Sequence, residues 1–155
     1  MALEIERKYL IHHDKWHNFS KPEGQLYRQG YILKDPNKTI RVRLTDTTAY
    51  LTIKGASVGA TRTEFEYEIP KEEAVELLDN FAVSELSKVR YKIMYMNKLW
   101  EVDVFMGDND GLIVAEIELL SEEESFELPE WISIEVTGDN RYYNSNLSAH
   151  PFKNW

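Results

Sequence analysis

Glu4-Ile5-Glu6-Arg7-Lys8, set in the run Leu3–Tyr9, alternates charged and apolar side chains with a period of two. In an extended strand residues two apart share a face, so Glu4, Glu6 and Lys8 project together while Leu3, Ile5 and Tyr9 project oppositely. The same pattern returns along the chain. Arg41 and Arg43 oppose Ile40, Val42 and Leu44, and Lys54 opposes Leu51 and Ile53. Arg62, Glu64, Glu66 and Glu68 oppose Phe65, Tyr67 and Ile69, and Lys88, Arg90 and Lys92 oppose Val89, Tyr91 and Ile93. Glu101 and Asp103 then oppose Val102 and Val104, and Glu116 and Glu118 oppose Ala115, Ile117 and Leu119.

A half-buried sheet with one face in water also alternates, and for any single strand that is the simpler reading. The choice of side chains argues for more. A solvated strand face mixes Thr, Ser, Gln and Lys, whereas these in-phase positions are overwhelmingly ionisable and sorted by sign. Glu4/Glu6, Glu64/Glu66, Glu101/Asp103 and Glu116/Glu118 are like-charge neighbours on one face, an arrangement that destabilises unless something positive sits between them. A divalent cation of the Mg²⁺ or Mn²⁺ type, which prefers hard oxygen ligands, supplies such a charge. Arg41, Arg43, Lys54, Lys88 and Arg90 in turn ask for an anion, with arginine gripping phosphate as a fork and lysine as a compact charge. A phosphate chain bridged by metal satisfies both sets. If the sheet closes with these faces inward, the charges line a tunnel whose low-dielectric walls strengthen each contact.

The rest of the chain agrees with one such domain. At 155 residues it has the size of a single compact unit, and its 43% apolar and 29% charged residues fall in the ordinary globular range. No apolar run approaches the roughly 20 residues of a membrane span. The start carries no basic region followed by an apolar one, so no secretory signal is read and a cytoplasmic location is expected. The absence of cysteine excludes disulfides, thiolate metal sites and cysteine nucleophiles. A net charge of −9 disfavours nucleic acid and anionic membrane as partners, so a small polyanion must find local cations. A homodimer remains open.

Alternation predicts strands near 2–10, 25–34, 38–45, 49–54, 62–69, 86–96, 99–105, 112–120 and 131–137. Turn clusters such as Asp35-Pro36-Asn37 and Gly107-Asp108-Asn109-Asp110-Gly111 punctuate them. After Pro70, the residues Ala74, Leu77, Leu78 and Phe81 form an apolar helical stripe. Ser121-Glu122-Glu123-Glu124 has the form of a capping box and predicts a second short helix. His12, His13 and His17 lack a supporting ligand pattern and read as surface residues. Many antiparallel strands with few helices favour a mainly β architecture, a closed barrel or a sandwich.

Glu4-x-Glu6-x-Lys8 resembles the ExExK signature of CYTH domains, also called triphosphate tunnel metalloenzymes. The resemblance continues through Gln29-Gly30-Tyr31, Arg41-x-Arg43, Leu51-Thr52-Ile53-Lys54, Arg62-x-Glu64-x-Glu66 and Lys88-x-Arg90-Tyr91. It ends with Glu101-x-Asp103, Glu116-x-Glu118 and Val136-Thr137-x-Asp139-x-Arg141-Tyr142-x-Asn144. One ExExK is weak; the full ordered series is specific. The resemblance implies a closed eight-stranded antiparallel barrel that binds a linear triphosphate with one or two divalent ions, Mg²⁺ or Mn²⁺. By position it implies Glu4, Glu6, Asp103, Glu116 and Glu118 as metal-binding carboxylates. Lys8, Arg41, Arg43, Lys54 and Arg90 would hold phosphate, and Lys88 with Tyr31 would form a catalytic dyad. It also implies a terminal helix starting near Arg141–Asn144 at one tunnel mouth.

The family includes inorganic, thiamine and RNA triphosphatases and class IV adenylyl cyclases, and the chain is most similar to the short single-domain bacterial triphosphatases. The expected activity is therefore hydrolysis of inorganic tripolyphosphate. A nucleoside or thiamine triphosphatase, or a class IV-type cyclase, would use the same lumen with another grip on the non-phosphate end. A polyphosphate or nucleotide sensor without turnover is the non-enzymatic alternative, and the many carboxylates argue against it.

Overall fold

The computed structural model describes residues 3–155, so Ala2, the expected first residue of the leading strand, lies outside the described residues. Strands form in all nine predicted regions: β1 (Leu3–Ile11), β2 (Gln25–Asp35), β3 (Lys38–Leu44), β4 (Ala49–Gly55), β5 (Thr61–Glu68), β6 (Ser84–Tyr95), β7 (Lys98–Phe105), β8 (Ile113–Glu118) and β9 (Ile132–Glu135). They pair in the order β5-β4-β3-β2-β6-β7-β8-β1, each pairing antiparallel. Leu3, Glu4 and Ile5 of β1 then pair with Thr63, Arg62 and Thr61 of β5, which closes eight strands into a barrel. β9 adds beside the far half of β1 through Tyr9 and Ile11. Closure removes the free edges, and eight strands leave an interior just wide enough for side chains or one small ligand.

The Asp35-Pro36-Asn37 turn forms as predicted, with Asp35 and Lys38 as register partners. Between β6 and β7 the hairpin has only two connecting residues, and both are left-handed, Met96 at φ 48° and Asn97 at φ 64°. A primed two-residue turn demands this backbone at both positions. Asn97 suits it and Met96 does not, which is why the predicted strand runs one residue too far.

Three helices pack outside the wall: α1 (His13–His17), α2 (Lys71–Asn80) and α3 (Asn144–Ala149). The predicted stripe on α2 buries Ala74 and Leu78 against Val42 and Ala49. The helix expected over 121–124 is absent. The Glu124 amide donates to the backbone carbonyl of Ser121, and the Glu124 side chain accepts from the Leu120 amide at 2.6 Å and pairs with Lys98. The four residues thus make one turn that the Lys98 contact fixes to the barrel, with nothing to propagate it. His12 accepts from the Lys15 amide at the start of α1. Among the described residues no helix is long and apolar enough to cross a membrane.

The principal apolar core lies outside the lumen. Tyr9, Trp100, Val102, Ala115 and Ile117 on the outer faces of β1, β7 and β8 are covered by Trp16 and Trp131. The charged faces are left to point inward. A second cluster, Leu86, Phe105 and Val114 with Tyr142 and Leu147, packs across one end of the lumen beneath α3.

Candidate active site

The lumen holds a cavity of about 220 Å³. Glu4, Glu6, Lys8, Arg41, Arg43, Lys54, Lys88, Arg90, Glu116, Glu118 and Tyr31 all line it. Asp103 does not. It faces inward as well but lies deeper, 1% exposed, covered by Arg90 and Lys88. Arg62, Glu64, Glu66 and Glu101 also line the cavity, whereas Glu68 and Lys92, in phase with them, are exposed outside it.

Strand order sorts the lining by sign. The neighbouring strands β7, β8, β1 and β5 carry Glu101, Glu116, Glu118, Glu4, Glu6, Glu64 and Glu66, an acidic arc interrupted by Lys8 and Arg62. The complementary run β4, β3, β2 and β6 carries Lys54, Arg41, Arg43, Lys88 and Arg90 with no acid lining the cavity. Tyr27 of β2 stabilises this basic arc, since the guanidinium carbons of Arg43 and Arg90 each lie 5.2 Å from its ring centre.

The two arcs touch through ion pairs. Lys54 Nζ of the basic arc donates to Glu4 at 3.0 Å, while within the acidic arc Lys8 Nζ donates to Glu116 Oε1 at 2.6 Å. Arg41 donates to Thr52 Oγ1 at 3.0 Å, and Thr52 in turn donates to Glu66 at 3.0 Å. Burial would raise the Glu4 carboxyl, but Lys54, Glu64 and Arg62 overcome it and hold it at about 2. Glu116 is likewise held well below the carboxylate range, with Lys8 and Arg90 outweighing its burial. Glu6 lacks such compensation. Burial and the neighbouring Glu116 push it up to about 7 despite Lys8 at 3.5 Å. Burial, with Glu4 and Glu101 nearby, also raises Glu118.

Among the described residues no three carboxylates or histidines converge as a ready-made metal cage. The donor set nevertheless fits a hard cation. Glu6 and Glu118 are cross-strand partners in the same lumen with Glu4 and Glu116, and this group is short of positive charge. The basic arc is short of negative charge in the same way. Burial, Arg41 and Arg90 push the Arg43 guanidinium down to about 10, and Arg41 Nε is buried without a partner among the described residues. An anion entering the lumen relieves both.

At the closed end Lys88 Nζ donates to Asp103 Oδ2 at 2.7 Å and to Asn144 Oδ1 at 2.8 Å, and lies 5.7 Å from the Phe105 ring centre. Burial drives the Lys88 ammonium down to about 7 against the attraction of Asp103, with Arg90 adding to the descent. Burial would raise Asp103, but Arg90 and Lys88 keep it low and ionised. Tyr31 is 4% exposed and its hydroxyl accepts from Gln29 Nε2 at 3.3 Å. Sequence reasoning assigned no role to Gln29 or Asn144. Gln29 is in phase with Tyr27 and Tyr31 on β2, a face with no charge alternation to mark it. Asn144 enters from α3, outside any strand periodicity.

The CYTH domain family matches residues 2–148. An inorganic triphosphatase of Acetivibrio thermocellus is 48% identical over 156 residues, spanning 100% of this chain and 99% of that protein. An inorganic triphosphatase of Nitrosomonas europaea is 34% identical over 154 residues, spanning 94% of this chain and 96% of its own. Among solved structures, an inorganic triphosphatase superposes with a TM-score of 0.65 at 32% identity, covering 96% of this chain and 95% of that one. A protein of Pyrococcus horikoshii shares the fold alone, with a TM-score of 0.59 at 20% identity over 77% of this chain and 79% of its own.

Proposed function

The chain belongs to the CYTH family, and from that membership we propose that it hydrolyses inorganic tripolyphosphate inside the charged lumen with the help of a divalent metal ion. The observation that carries this reading is the division of one closed lumen into an acidic and a basic arc. A polyanion alone would be repelled by the acidic arc and a cation alone by the basic one. A metal-bound phosphate chain matches both. Two relatives named inorganic triphosphatases, each aligned over nearly its whole length, support the same substrate.

Glu4, Glu6, Glu116 and Glu118 are the residues that would hold Mg²⁺ or Mn²⁺, which when bound supplies positive charge to the phosphoryl oxygens. Arg41, Arg43 and Arg90 hold the phosphate chain by charge-assisted hydrogen bonds, with Lys8 and Lys54 reaching it from their places beside Glu116 and Glu4. Asp103, enclosed by Arg90 and Lys88, serves as their buried counter-ion instead of a metal ligand. Water attacks the terminal phosphoryl group, and the enzyme's work is chiefly to position the chain and stabilise its charge. Lys88, whose ammonium burial drives down to about 7, accepts the proton of that water, and the Tyr31 hydroxyl donates from the same end of the lumen.

Tyr31 is the one aromatic side chain lining the cavity among the described residues, which leaves little for a nucleobase or thiazolium ring to stack on. This favours the inorganic substrate over ATP or thiamine triphosphate. The test offers tripolyphosphate, ATP and thiamine triphosphate to the protein with Mg²⁺ or Mn²⁺ and follows phosphate, diphosphate and cyclic AMP. The expected result is the highest kcat/KM for tripolyphosphate, lost in Glu6→Ala and in Arg43→Ala. Preference for an organic triphosphate, or tight binding without product, would overturn the reading.

A further inference from the structure

At the closed end of the lumen, the polarity of a buried hydrogen-bond chain follows from Lys88, whose N–H groups point to Asp103 and Asn144. Lys88 Nζ lies 2.8 Å from the Asn144 side chain. A lysine amine held by Asp103 and Asn144 offers hydrogens to both, so Asn144 must present its oxygen and not its NH₂. Gln29 reaches the same oxygen at 3.3 Å and must therefore present its own NH₂. That nitrogen also lies 3.3 Å from the Tyr31 hydroxyl, so Tyr31 accepts there and keeps its hydrogen free for the cavity it lines.

Lys88 is constrained in the same way. Asp103 and Asn144 each take one of its N–H groups. With Cε occupying a third tetrahedral position, a single direction on Nζ is left for the cavity that Lys88 lines. The arrangement comes at the expense of Gln29 Oε1, which is buried without a hydrogen-bond partner among the described residues. A fully buried carbonyl left unpaired is rare in folded proteins, and here its partner nitrogen is committed to the chain just described.

We propose that Asn144 and Gln29 form a buried amide bridge whose role is to position Lys88 and Tyr31 toward the reacting phosphoryl group. Asn144 is the positioning residue for Lys88, and Gln29 carries the same constraint to Tyr31. Asn144 is supplied by α3, outside the barrel wall, and Leu147 of the same helix is fully buried against the apolar cluster at this end. The helix thereby fixes the asparagine on a rigid element. This inference rests on the proposed roles of Lys88 and Tyr31.

The experiment compares kcat and KM for tripolyphosphate in Asn144→Ala and Gln29→Met, each made also in Lys88→Ala and Tyr31→Phe backgrounds, with circular dichroism reporting the fold. Loss of orientation at a reacting group is expected to lower kcat by about tenfold to a hundredfold, with KM within about twofold. The effect of Asn144→Ala should vanish once Lys88 is alanine, and that of Gln29→Met should vanish once Tyr31 is phenylalanine. A merely structural role would lower activity equally in both backgrounds. If Asn144→Ala does not fold, Gln29→Met, which keeps volume and removes the donors, decides the matter alone. Full kcat in the folded variants, or a loss that persists in the Lys88→Ala background, would overturn the proposal. Lys88→Ala retaining kcat would instead overturn the reading on which it rests.

Discussion

Lys88 donates to Asp103 at 2.7 Å with side-chain exposures of 2% and 1%, so the ion pair nearest the proposed chemistry is also among the most completely buried in the protein. Arg90 closes the other side of the same carboxylate at 2.7 and 2.9 Å. Arg90 also reaches Glu101 at 3.2 Å and Glu116 at 3.9 Å, so this pair belongs to a network that ties the basic arc to the acidic one. Burial, with Arg90 adding to it, holds the Lys88 ammonium down to about 7 against the attraction of Asp103.

Asp103→Asn would leave Lys88 buried without its anion and Arg90 without its nearest one. Removing one partner of a buried pair destabilises by about 3–5 kcal/mol. The urea midpoint should fall accordingly without a change in slope. An unchanged midpoint would show that the pair is not held as described.

The Lys88 ammonium, at about 7, should govern the acid side of the rate profile. A residue that must be neutral to accept a proton gains activity as pH rises through its pKa, so kcat/KM should climb between about pH 6 and 8 at saturating metal. Lys88→Ala should lose that limb along with most of its rate. Activity that falls over the same range would mean that Lys88 acts as a charged phosphate ligand.

Glu6, raised from 4.5 to about 7, penalises the metal-free fold when it ionises. Below the unfolded value both states are protonated and the penalty is absent; it grows between pH 4.5 and 7 and is complete above 7. Glu6→Gln should therefore stabilise the metal-free protein at pH 8, by up to roughly 3–4 kcal/mol from the size of that shift, and change little at pH 4. It should at the same time abolish activity and shrink the rise in Tm on adding Mg²⁺ or Mn²⁺. A lower Tm for Glu6→Gln at pH 8 in chelator would contradict this.

Gly30 lies between the two inward-facing residues Gln29 and Tyr31, on the outer face of β2. A Cβ there would meet Leu78 Cδ2 at 2.8 Å, Ala82 Cβ at 3.0 Å and the Ser84 carbonyl at 3.1 Å. Gly30→Ala should destabilise by about 1–3 kcal/mol through overpacking beneath α2, read as a lower thermal midpoint.

Much of this architecture was legible because its signal is periodic. Two-residue alternation located the nine strands, and sorting by sign marked Glu4, Glu6, Arg41, Arg43, Glu116 and Glu118 as one charged lining before any pairing was known. Position along the lumen was not legible. Asp103 shares its phase with Glu101, yet Glu101 lines the cavity and Asp103 sits behind it, next to the apolar closure made by Phe105 and Val114. Alternation reports a face of the sheet, not depth along it. Asn144 was invisible as a partner of Lys88 because the contact joins residues 56 apart and begins on a helix packed outside the barrel. The turn over 121–124 was misread because a capping box states how a helix starts and leaves open whether Lys98 will hold its glutamate elsewhere.

The central claim is that the two arcs act together on a metal-bound triphosphate. The most direct measurement is product analysis with tripolyphosphate and Mg²⁺ or Mn²⁺, with and without chelator. The account predicts equal amounts of phosphate and diphosphate in the presence of metal and neither in chelator. Undiminished turnover in chelator, or tight tripolyphosphate binding with no product at any metal concentration, would contradict it.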